Sequence, residues 1–374
     1  MIETRIQLQD LLADPRNALI EEALEKGMVP VGYSCSMVPR ALLSVGKLFP
    51  VRMRAPGIAG TELADMYMSS VICSYTKSLL EFAMEDRYDF LKGWIFVACC
   101  DHLRRLNDNL NYAAKPEFSR ILDIPHRLGD AALEWTVEEL KRLASDLESH
   151  FGVDAGDAAL REAIARENAL NAALREVGEL RRMERPPFTG TAFHRLIIAA
   201  QLAPADRVME MVRDFRADAE SAPSANGHRA RFMLAGCSLD DPGFTQIIES
   251  QGGLVVADRY CTGSFPGLEP IDTGTDPVTA LAKQVLNGCR CPRMMEEFAS
   301  RKEYILKIAK EYAVDGVIIQ SIKFCDTWGV ESSAMVTALR EAGVPVLRLE
   351  REYRQSGEGQ LRTRVQAFIE SMGK

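Results

Sequence analysis

Short apolar runs alternate with amphipathic stretches along much of the chain. The run at residues 316–322, Gly-Val-Ile-Ile-Gln-Ser-Ile, is short and rich in β-branched residues, which favours a strand over a buried helix. Helical periodicity precedes this run over 301–312 and follows it over 330–342, and a second apolar run comes at 344–349. A strand, a helix and a strand at this spacing predict a βαβ unit and therefore a parallel sheet.

The first quarter of the chain shows the same alternation. Apolar runs at 28–33, 49–53 and 91–98 predict strands, and helical patterns predict helices over 38–45 and 74–84. In parallel sheets, ligands bind outside the carboxyl ends of the strands. Residues that directly follow these runs are therefore candidates for a binding site.

The remaining patterns complete an α/β fold. The middle of the chain is rich in Ala, Glu, Leu and Arg, and it predicts helices over 132–147, 158–180, 191–200 and 205–217. The second half adds predicted strands over 229–236 and 253–258, and predicted helices over 244–251, 277–285 and 361–372. We therefore predict two Rossmann-like parallel-sheet domains with a helical middle segment.

Length and composition agree with several soluble domains. The chain has 374 residues, which is too long for one ordinary domain. The predicted boundaries are 1–124 for the first Rossmann-like domain, 125–228 for the helical segment and linker, and 229–374 for the second Rossmann-like domain. Hydrophobic residues make up 47% and charged residues 26%, which is typical of a soluble globular protein.

Charge and hydropathy exclude some classes of partner. The net charge of -8 argues against nucleic acid as the main partner. No apolar run reaches the roughly 18 residues of a membrane span, so no membrane association is predicted. The N-terminal residues also lack the apolar core of a signal peptide. We therefore expect a cytoplasmic protein.

Nine cysteines are the unusual feature of this composition. They lie at positions 35, 73, 99, 100, 237, 261, 289, 291 and 325. An odd number in a cytoplasmic chain does not suit a disulfide framework, although any single thiol can simply pack as a small apolar group. Two apolar runs lead directly into Cys-Asp, at Cys100-Asp101 and Cys325-Asp326, and an earlier strand in each half ends near Cys35 or Cys237. This weak internal repeat predicts that distant cysteines meet at one interdomain cleft.

The familiar phosphate-binding and zinc motifs are missing. No G-x-G-x-x-G follows a strand, no Walker loop is found, and no paired C-x-x-C motifs occur. Thiolates in a reducing compartment select iron–sulfur clusters or zinc. Three cysteines from three strand ends would leave one coordination position open in either case. The residues alone leave both metals open.

Several stretches resemble the 2-hydroxyacyl-CoA dehydratase family, which includes the benzoyl-CoA reductase subunits. The resemblance runs from about residue 29 to about residue 370 and is strongest to the smaller, beta-type subunit. The shorter matching stretches are 32–39 (Gly-Tyr-Ser-Cys-Ser-Met-Val-Pro), 70–73 (Ser-Val-Ile-Cys), 100–105 (Cys-Asp-His-Leu-Arg-Arg), 291–294 (Cys-Pro-Arg-Met), 315–318 (Asp-Gly-Val-Ile) and 323–326 (Lys-Phe-Cys-Asp). The most specific match is Leu-Glu-Arg-Glu-Tyr at 349–353, followed by Gly-Gln-Leu-Arg-Thr-Arg-Val-Gln-Ala-Phe at 359–368.

This resemblance implies a cofactor, partners and a reaction. It implies a 4Fe–4S cluster held by Cys73, Cys100 and Cys325, and pairing with a related cluster-bearing subunit or with a second copy. A separate ATP-hydrolysing iron–sulfur activator would supply one electron at low potential. In the dehydratases that electron forms a ketyl radical of the acyl-CoA thioester, which expels the 2-hydroxyl group, and the electron is then returned. In the reductases, electrons are consumed in ring reduction.

The chain also departs from the family pattern at two places near the expected substrate. Arg40-Ala41 stands where many relatives have a glutamate, and Thr327-Trp328 follows the late Cys-Asp where relatives often have proline. Both departures are compatible with a partner subunit that relays electrons without binding substrate.

Four further residues near the expected cluster are candidates for specific roles. Ser34 and Ser36 are candidates to hydrogen-bond a substrate oxygen, with turn capping as the alternative. Cys35 and Cys291 are candidate extra ligands of a larger cluster, whereas Cys99 is expected to be a buried neighbour.

The main hypothesis is a lyase, a 4Fe–4S subunit of a dehydratase that eliminates water from a 2-hydroxyacyl-CoA. One alternative is a benzoyl-CoA reductase-type subunit. Another is a stand-alone low-potential reductase with a larger cluster, which would need ligands such as Cys35 and Cys291. A third is an electron-transfer partner without its own substrate site. The sequence does not specify the acyl group.

Overall fold

Two parallel sheets of four strands each form the framework of the computed structural model. The structure describes residues 8–221, 224–264, 268–288, 290–354 and 357–374. Helices pack against the sheets and also fill the middle of the chain. The predicted fold class, two parallel-sheet α/β units with a helical middle segment, is confirmed. The predicted domain boundaries stay a prediction.

The first sheet is built from the N-terminal third of the chain. Its elements in chain order are α1 (Leu8–Leu11), α2 (Ala18–Glu25), β1 (Val29–Tyr33), β2 (Leu48–Arg52), α3 (Ser74–Met84), β3 (Trp94–Val97), α4 (Asp101–Ala113) and β4 (Ser119–Leu122). The strands are parallel and lie in the order β2-β1-β3-β4. The carboxyl ends of β1 and β3 are therefore neighbours, and the segments that contain Cys35 and Cys100 start from them.

In the described part of the chain, four α-helices follow before the second sheet begins. They are α5 (Asp130–Phe151), α6 (Asp157–Glu179), α7 (Gly190–Ala199) and α8 (Ala205–Ser221). Each overlaps a helix predicted from sequence periodicity. Within the described part of the chain, no helix combines the length and the apolar character that crossing a bilayer requires.

The second sheet is built from the C-terminal part of the chain. Its elements are β5 (Ala230–Gly236), α9 (Pro242–Ser250), β6 (Gly253–Tyr260), α10 (Pro277–Lys283), α11 (Phe298–Glu311), β7 (Gly316–Ile322), α12 (Asp326–Glu341), β8 (Val346–Arg351) and α13 (Glu358–Ser371). The strands are parallel and lie in the order β6-β5-β7-β8. The three neighbouring strands β6, β5 and β7 lead to Cys261, Cys237 and Cys325 respectively.

Each sheet has an apolar core on both of its faces, and alternating side chains of a strand pack into the two cores. In β3, Trp94 and Phe96 face the core that also contains α3 and α4, whereas Ile95 and Val97 face the core that contains α5. Successive side chains of a strand point to opposite faces, so a strand covered on both sides reads as a continuous apolar run. This is why β3 and β7 are recognisable from their sequence.

A segment of the second half packs on the first sheet. Ile271 and the buried apolar residues of α10 belong to the same core as Val31 and Ile95. The Asn168 side chain of α6 fixes this segment by donating to the backbone oxygen of Ile271 at 2.8 Å and accepting from its N–H at 2.8 Å. The chain therefore passes between the first and second halves of the structure more than once.

The prediction of a helix over 38–45 is wrong. These residues contain a single 3-10 turn, Leu42–Ser44, stabilised by hydrogen bonds from Leu42 N–H to Pro39 and from Leu43 N–H to Arg40 at 3.0 Å each. Proline fixes φ and cannot donate its nitrogen, and the stretch is too short to add further helical turns. The helix α4 is not predicted by the periodicity because most of its residues are polar, and its apolar face consists mainly of Leu103, Leu106 and Leu110.

Candidate functional site

Three cysteines directly precede the first residue of three different helices. Cys73, Cys100 and Cys325 are the N-cap residues of α3, α4 and α12, and none of their side chains makes a capping hydrogen bond. The unpaired N–H groups and the dipole at a helix N-terminus favour a negative charge there. The helix N-terminus therefore favours a thiolate at such a position, whereas burial opposes it.

His102 connects the three cysteine-bearing segments. This histidine lies in the first turn of α4 and is buried. Its Nδ1 atom accepts a hydrogen bond from the backbone N–H of Cys73 at 3.2 Å. Its Nε2 atom, which then carries the proton of the neutral ring, lies 3.6 Å from Oδ1 of Asp326, the residue after Cys325. One imidazole thus contacts the starts of α3 and α12 from the start of α4.

The thiols of these three cysteines also influence one another. Burial and, to a smaller extent, the nearby Cys100 and Cys325 thiols raise the pKa of Cys73 to about 12. By contrast, a hydrogen bond with the Cys237 thiol, helped by the backbone N–H groups of Thr327 and Trp328, lowers the pKa of Cys325 to about 6. These surroundings favour the thiolate form of Cys325, whereas burial favours the neutral thiol of Cys73.

A second group of thiols adjoins the first. A hydrogen bond with Cys99, together with the positive charges of Arg52 and Arg293, lowers the pKa of Cys35 to about 6. Cys99 interacts with both Cys35 and Cys100, and so it links the two groups.

Cys261 extends this second group. Burial and the neighbouring Cys291 and Cys35 raise the pKa of Cys261, and Cys325 contributes to the same effect. The eight described cysteines are all free thiols, and these interactions join them into one connected set, which we call the cysteine cleft: Cys35, Cys73, Cys99, Cys100, Cys237, Cys261, Cys291 and Cys325.

This cleft is compatible with soft metal chemistry but is not a ready-made site for a single ion. Among the described residues, no three His, Cys, Asp or Glu side chains are positioned to hold one metal ion. The cysteines of a four-iron cluster bind different irons, so they do not need the close spacing of zinc ligands around one ion. Cys289, which is close to Cys291 in the sequence, lies outside the described residues.

The chain matches the family model described as 2-hydroxyglutaryl-CoA dehydratase, D-component, over residues 35–372. The chain belongs to this dehydratase D-component family. The resemblance expected from the sequence motifs is therefore confirmed. The match begins at Cys35, directly after the first strand, and it includes strands β2 to β8 and all the cysteines of the cleft.

Several named relatives are similar to this chain over nearly their whole length. YjiM of Escherichia coli (strain K12), which carries the provisional name of a dehydratase subunit, is 26% identical over 93% of this chain and 92% of its own. The (R)-phenyllactyl-CoA dehydratase beta subunit of Clostridium sporogenes is 24% identical over 97% of both chains. A benzoyl-CoA reductase subunit of Thauera aromatica is 23% identical over 91% of this chain and 90% of its own. The named relatives thus include both dehydratase and reductase subunits.

The two candidate serines of this D-component chain differ in their surroundings. Ser34 directly follows β1 and is buried, and its hydroxyl has no hydrogen-bond partner among the described residues. The Ser36 hydroxyl donates to the backbone oxygen of Cys261 at 2.6 Å and accepts from Nη1 of Arg52 at 3.3 Å. Ser36 therefore joins the two halves of the cleft, while Ser34 retains a free hydroxyl.

Of the two departures from the family pattern, Thr327-Trp328 lies at the cleft, and Arg40 contacts the helical middle segment. Thr327 Oγ1 is 3.7 Å from Cys325 Sγ, and the buried Trp328 ring lies under the Arg259 guanidinium at 5.0 Å. Arg40 donates to the backbone oxygen of Ala200 at 3.1 Å and approaches the Glu167 carboxylate at 3.6 Å.

Sequence reasoning missed two residues of this region. His102 lies within a matching stretch but was assigned no role, and Arg52 was assigned only to a strand. The sequence signal for Arg52 is a charged residue at the carboxyl end of an apolar run. Its importance depends on burial at the cleft, which the local sequence does not encode.

Proposed function

We propose that this chain is a subunit of a 2-hydroxyacyl-CoA dehydratase and that Cys73, Cys100 and Cys325 hold a 4Fe–4S cluster. The observation that carries the proposal is the meeting of three helix N-terminal cysteines around His102. When bound, such a cluster supplies one-electron transfer at low potential and an iron that lacks a cysteine ligand.

The donor set fits a cluster of this kind. Thiolates are the ligands that iron–sulfur clusters use, and the three thiols belong to a connected set of free cysteines. Three helix N-termini direct positive dipole ends at the site and offset the negative charge of cluster and thiolates. His102 keeps the segments in register because it contacts the backbone of one and the aspartate of another.

The proposed reaction eliminates water from a 2-hydroxyacyl-CoA through a ketyl radical after activation by one electron. The residues of this chain would bind and orient the thioester and exclude water from it. Ser34 is the best-placed hydroxyl for a substrate oxygen, because it is buried at the carboxyl end of β1 and has no partner among the described residues. The dehydratase name of the Clostridium sporogenes relative supports this reaction type.

Apolar side chains near the cysteine cleft support a partner subunit. Val71 and Phe324, which precede Cys73 and Cys325 closely in the chain, are 58% and 45% exposed, and Val330 on α12 is 80% exposed. Large apolar side chains clustered beside a site are typical of a surface that another protein covers. We propose that a cluster-bearing related subunit or a second copy covers this surface, and that an ATP-dependent iron–sulfur activator delivers the electron.

The test is an assay of the anaerobically purified chain together with any subunit that copurifies. With activator and ATP present, the proposal expects consumption of a 2-hydroxyacyl-CoA such as phenyllactyl-CoA, and no reduction of benzoyl-CoA. A variant Ser34→Ala should lower kcat/KM about 10-fold or more if its hydroxyl meets the substrate. Ring reduction without dehydration would instead assign the chain to the reductase branch.

A second candidate is a stand-alone reductase with a larger cluster. It is favoured by one observation, that Cys35, Cys99, Cys261 and Cys291 belong to the same connected set as the three proposed ligands. The two candidates differ in iron content and assembly. A homodimer that holds more than about four irons per chain, and loses iron in both Cys35→Ser and Cys291→Ser, would favour the larger cluster.

A further inference from the structure

The threonine two residues after Cys325 lies beside the sulfur of that cysteine. Thr327 Oγ1 is 3.7 Å from Cys325 Sγ, and the hydroxyl forms no other hydrogen bond among the described residues. Both residues are half-buried at the start of α12. A hydroxyl group has one hydrogen to donate. The hydrogen of Thr327 is therefore available to the sulfur of Cys325.

The direction of this hydrogen bond is fixed when the sulfur binds iron. A cysteine binds iron as a thiolate, which has no hydrogen of its own, so the hydroxyl of Thr327 must be the donor. Other groups act on the same sulfur in the same sense. The Cys237 thiol, the backbone N–H of Trp328 and the hydroxyl of Thr327 all favour a negative charge on it and lower the pKa of Cys325.

The sulfur of Cys73 has a similar neighbour whose hydrogen is already used. Thr76 Oγ1 lies 3.6 Å from Cys73 Sγ, but this hydroxyl donates to the backbone oxygen of Cys73 at 2.9 Å. That bond leaves no hydrogen for the sulfur. Thr76 and Thr327 therefore lie at similar distances from two proposed ligands, and only the hydroxyl of Thr327 is free to donate to its sulfur.

We propose that Thr327 is a positioning residue, which donates its hydroxyl hydrogen to the sulfur of Cys325 and thereby raises the reduction potential of the proposed cluster. The inference rests on the proposed function, because it concerns a cluster that Cys325 helps to hold. A hydrogen bond to a ligand sulfur stabilises the more negative, reduced state of an iron–sulfur cluster more than the oxidised state. Thr327 therefore makes the uptake of one electron easier.

The test is a redox titration of the anaerobically purified full chain, together with any copurifying subunit. Titanium(III) citrate is the reductant, and electron paramagnetic resonance reports the reduced cluster. Thr327→Val keeps the shape of the side chain and removes the hydroxyl. At a fixed solution potential the ratio of reduced to oxidised cluster should fall about 10-fold in this variant, which lowers the midpoint by about 59 mV for a one-electron couple. Thr327→Ser keeps the hydroxyl and should retain the wild-type potential. A cluster in a copurifying subunit adds the same signal to every variant.

Two further substitutions separate the hydrogen bond from a general disturbance of the site. Thr337→Val, the same change on the exposed side of α12, is the matched control and should leave the potential unchanged, because that hydroxyl donates to the backbone oxygen of Ser333. Thr76→Val removes a hydroxyl that is as close to a ligand sulfur but donates elsewhere, and it should change the ratio of reduced to oxidised cluster less than about 3-fold.

Iron and sulfide determination on the same samples keeps two failures apart. A wild type without iron overturns the proposed function, and this inference with it. Full iron in every variant, with an unchanged potential in Thr327→Val or with equal shifts in Thr327→Val and Thr76→Val, overturns the role of Thr327 alone. If Thr327→Val loses iron, Thr327→Ala is measured in its place, because it removes the hydroxyl with less crowding.

Discussion

Nδ1 of His102 accepts a hydrogen bond from the backbone N–H of Cys73 at 3.2 Å, although 29 residues separate the two in sequence. The contact joins the start of α4, which follows Cys100, to the start of α3, which follows Cys73. The other ring nitrogen lies 3.6 Å from Asp326, the residue after Cys325. The imidazole therefore organises all three segments that we propose to hold the cluster.

Replacement of His102 should loosen the site. His102→Ala leaves the buried N–H of Cys73 without a partner, and it should lower the free energy of unfolding by about 1–3 kcal/mol and reduce bound iron. His102→Asn offers an amide oxygen in a similar place and is the conservative control, with smaller losses of both. Urea unfolding and iron determination measure these effects. Full stability and full iron in His102→Ala would show that the histidine does not organise the site.

Gly236 fixes the backbone just before Cys237. Its φ of +140° is unfavourable for other residues, and an added Cβ would stand 1.8 Å from the backbone oxygen of Gln320. Gly236→Ala should therefore destabilise the protein by more than about 3 kcal/mol or prevent folding. Gly343→Ala, also at positive φ but with nothing within 4 Å of the new Cβ, should cost only about 1 kcal/mol. Similar unfolding midpoints for the two variants would contradict this account of the strand end.

A buried ion pair supports the segment that contains Cys291. Nε of Arg301 donates to Oε1 of Glu331 at 2.7 Å, and the same guanidinium donates to the backbone oxygens of Cys291 at 3.1 Å and Met294 at 2.8 Å. Glu331→Gln leaves the buried arginine without its counter-charge and should cost about 3 kcal/mol. The matched Glu138→Gln, in an exposed pair with Lys141, should leave the denaturation curve unchanged. Equal losses of stability in the two variants would mean that the buried ion pair contributes no more to stability than the exposed one.

The stability of the fold should fall in mild acid because of His194. Burial lowers the pKa of this histidine from 6.5 to about 4, and its ring accepts from Thr245 and donates to the backbone oxygen of Leu239. The unfolded chain binds the proton near pH 6.5, whereas the folded chain binds it only near pH 4. The free energy of unfolding therefore falls by up to about 3 kcal/mol as pH drops from 6.5 to 4, and it is unaffected by this group above that window.

A pH series of urea unfolding curves checks this effect. His194→Gln, which cannot take up the proton, should show a smaller fall between pH 6.5 and 4 than the wild type does. The variant's absolute stability is not the readout, since the substitution also changes packing. Parallel curves for the two proteins across this window would contradict the assignment.

Strong local patterns made much of the fold predictable from the sequence. The predicted bounds of strand β7 and helix α3 are those of the structure. A continuous β-branched run indicates a buried strand, and a clear helical period indicates a helix, without information from the rest of the chain. The polar helix α4 was missed because three leucines carry its buried face. The expectation that cysteines after strands meet at one interdomain cleft rests on the geometry of parallel sheets and stays a prediction.

Contacts between distant segments could not be predicted in the same way. Ser36 meets the backbone of Cys261 across 225 residues, and the segment with Ile271 leaves its own half to pack on the first sheet. Arg52 is buried and has no carboxylate partner among the described residues, and its local sequence does not indicate either property. Such features depend on how the two sheets pack relative to distant segments, and local sequence propensity does not predict that arrangement.

The most direct test of the central claim is iron and sulfide determination on the anaerobically purified chain and its single cysteine variants. The account predicts about four irons and about four sulfides per chain, lost by more than half in Cys73→Ser, Cys100→Ser and Cys325→Ser. Cys35→Ser and Cys291→Ser should keep the wild-type content. A wild-type protein that binds no iron, or proposed-ligand variants that retain the full content, would contradict it.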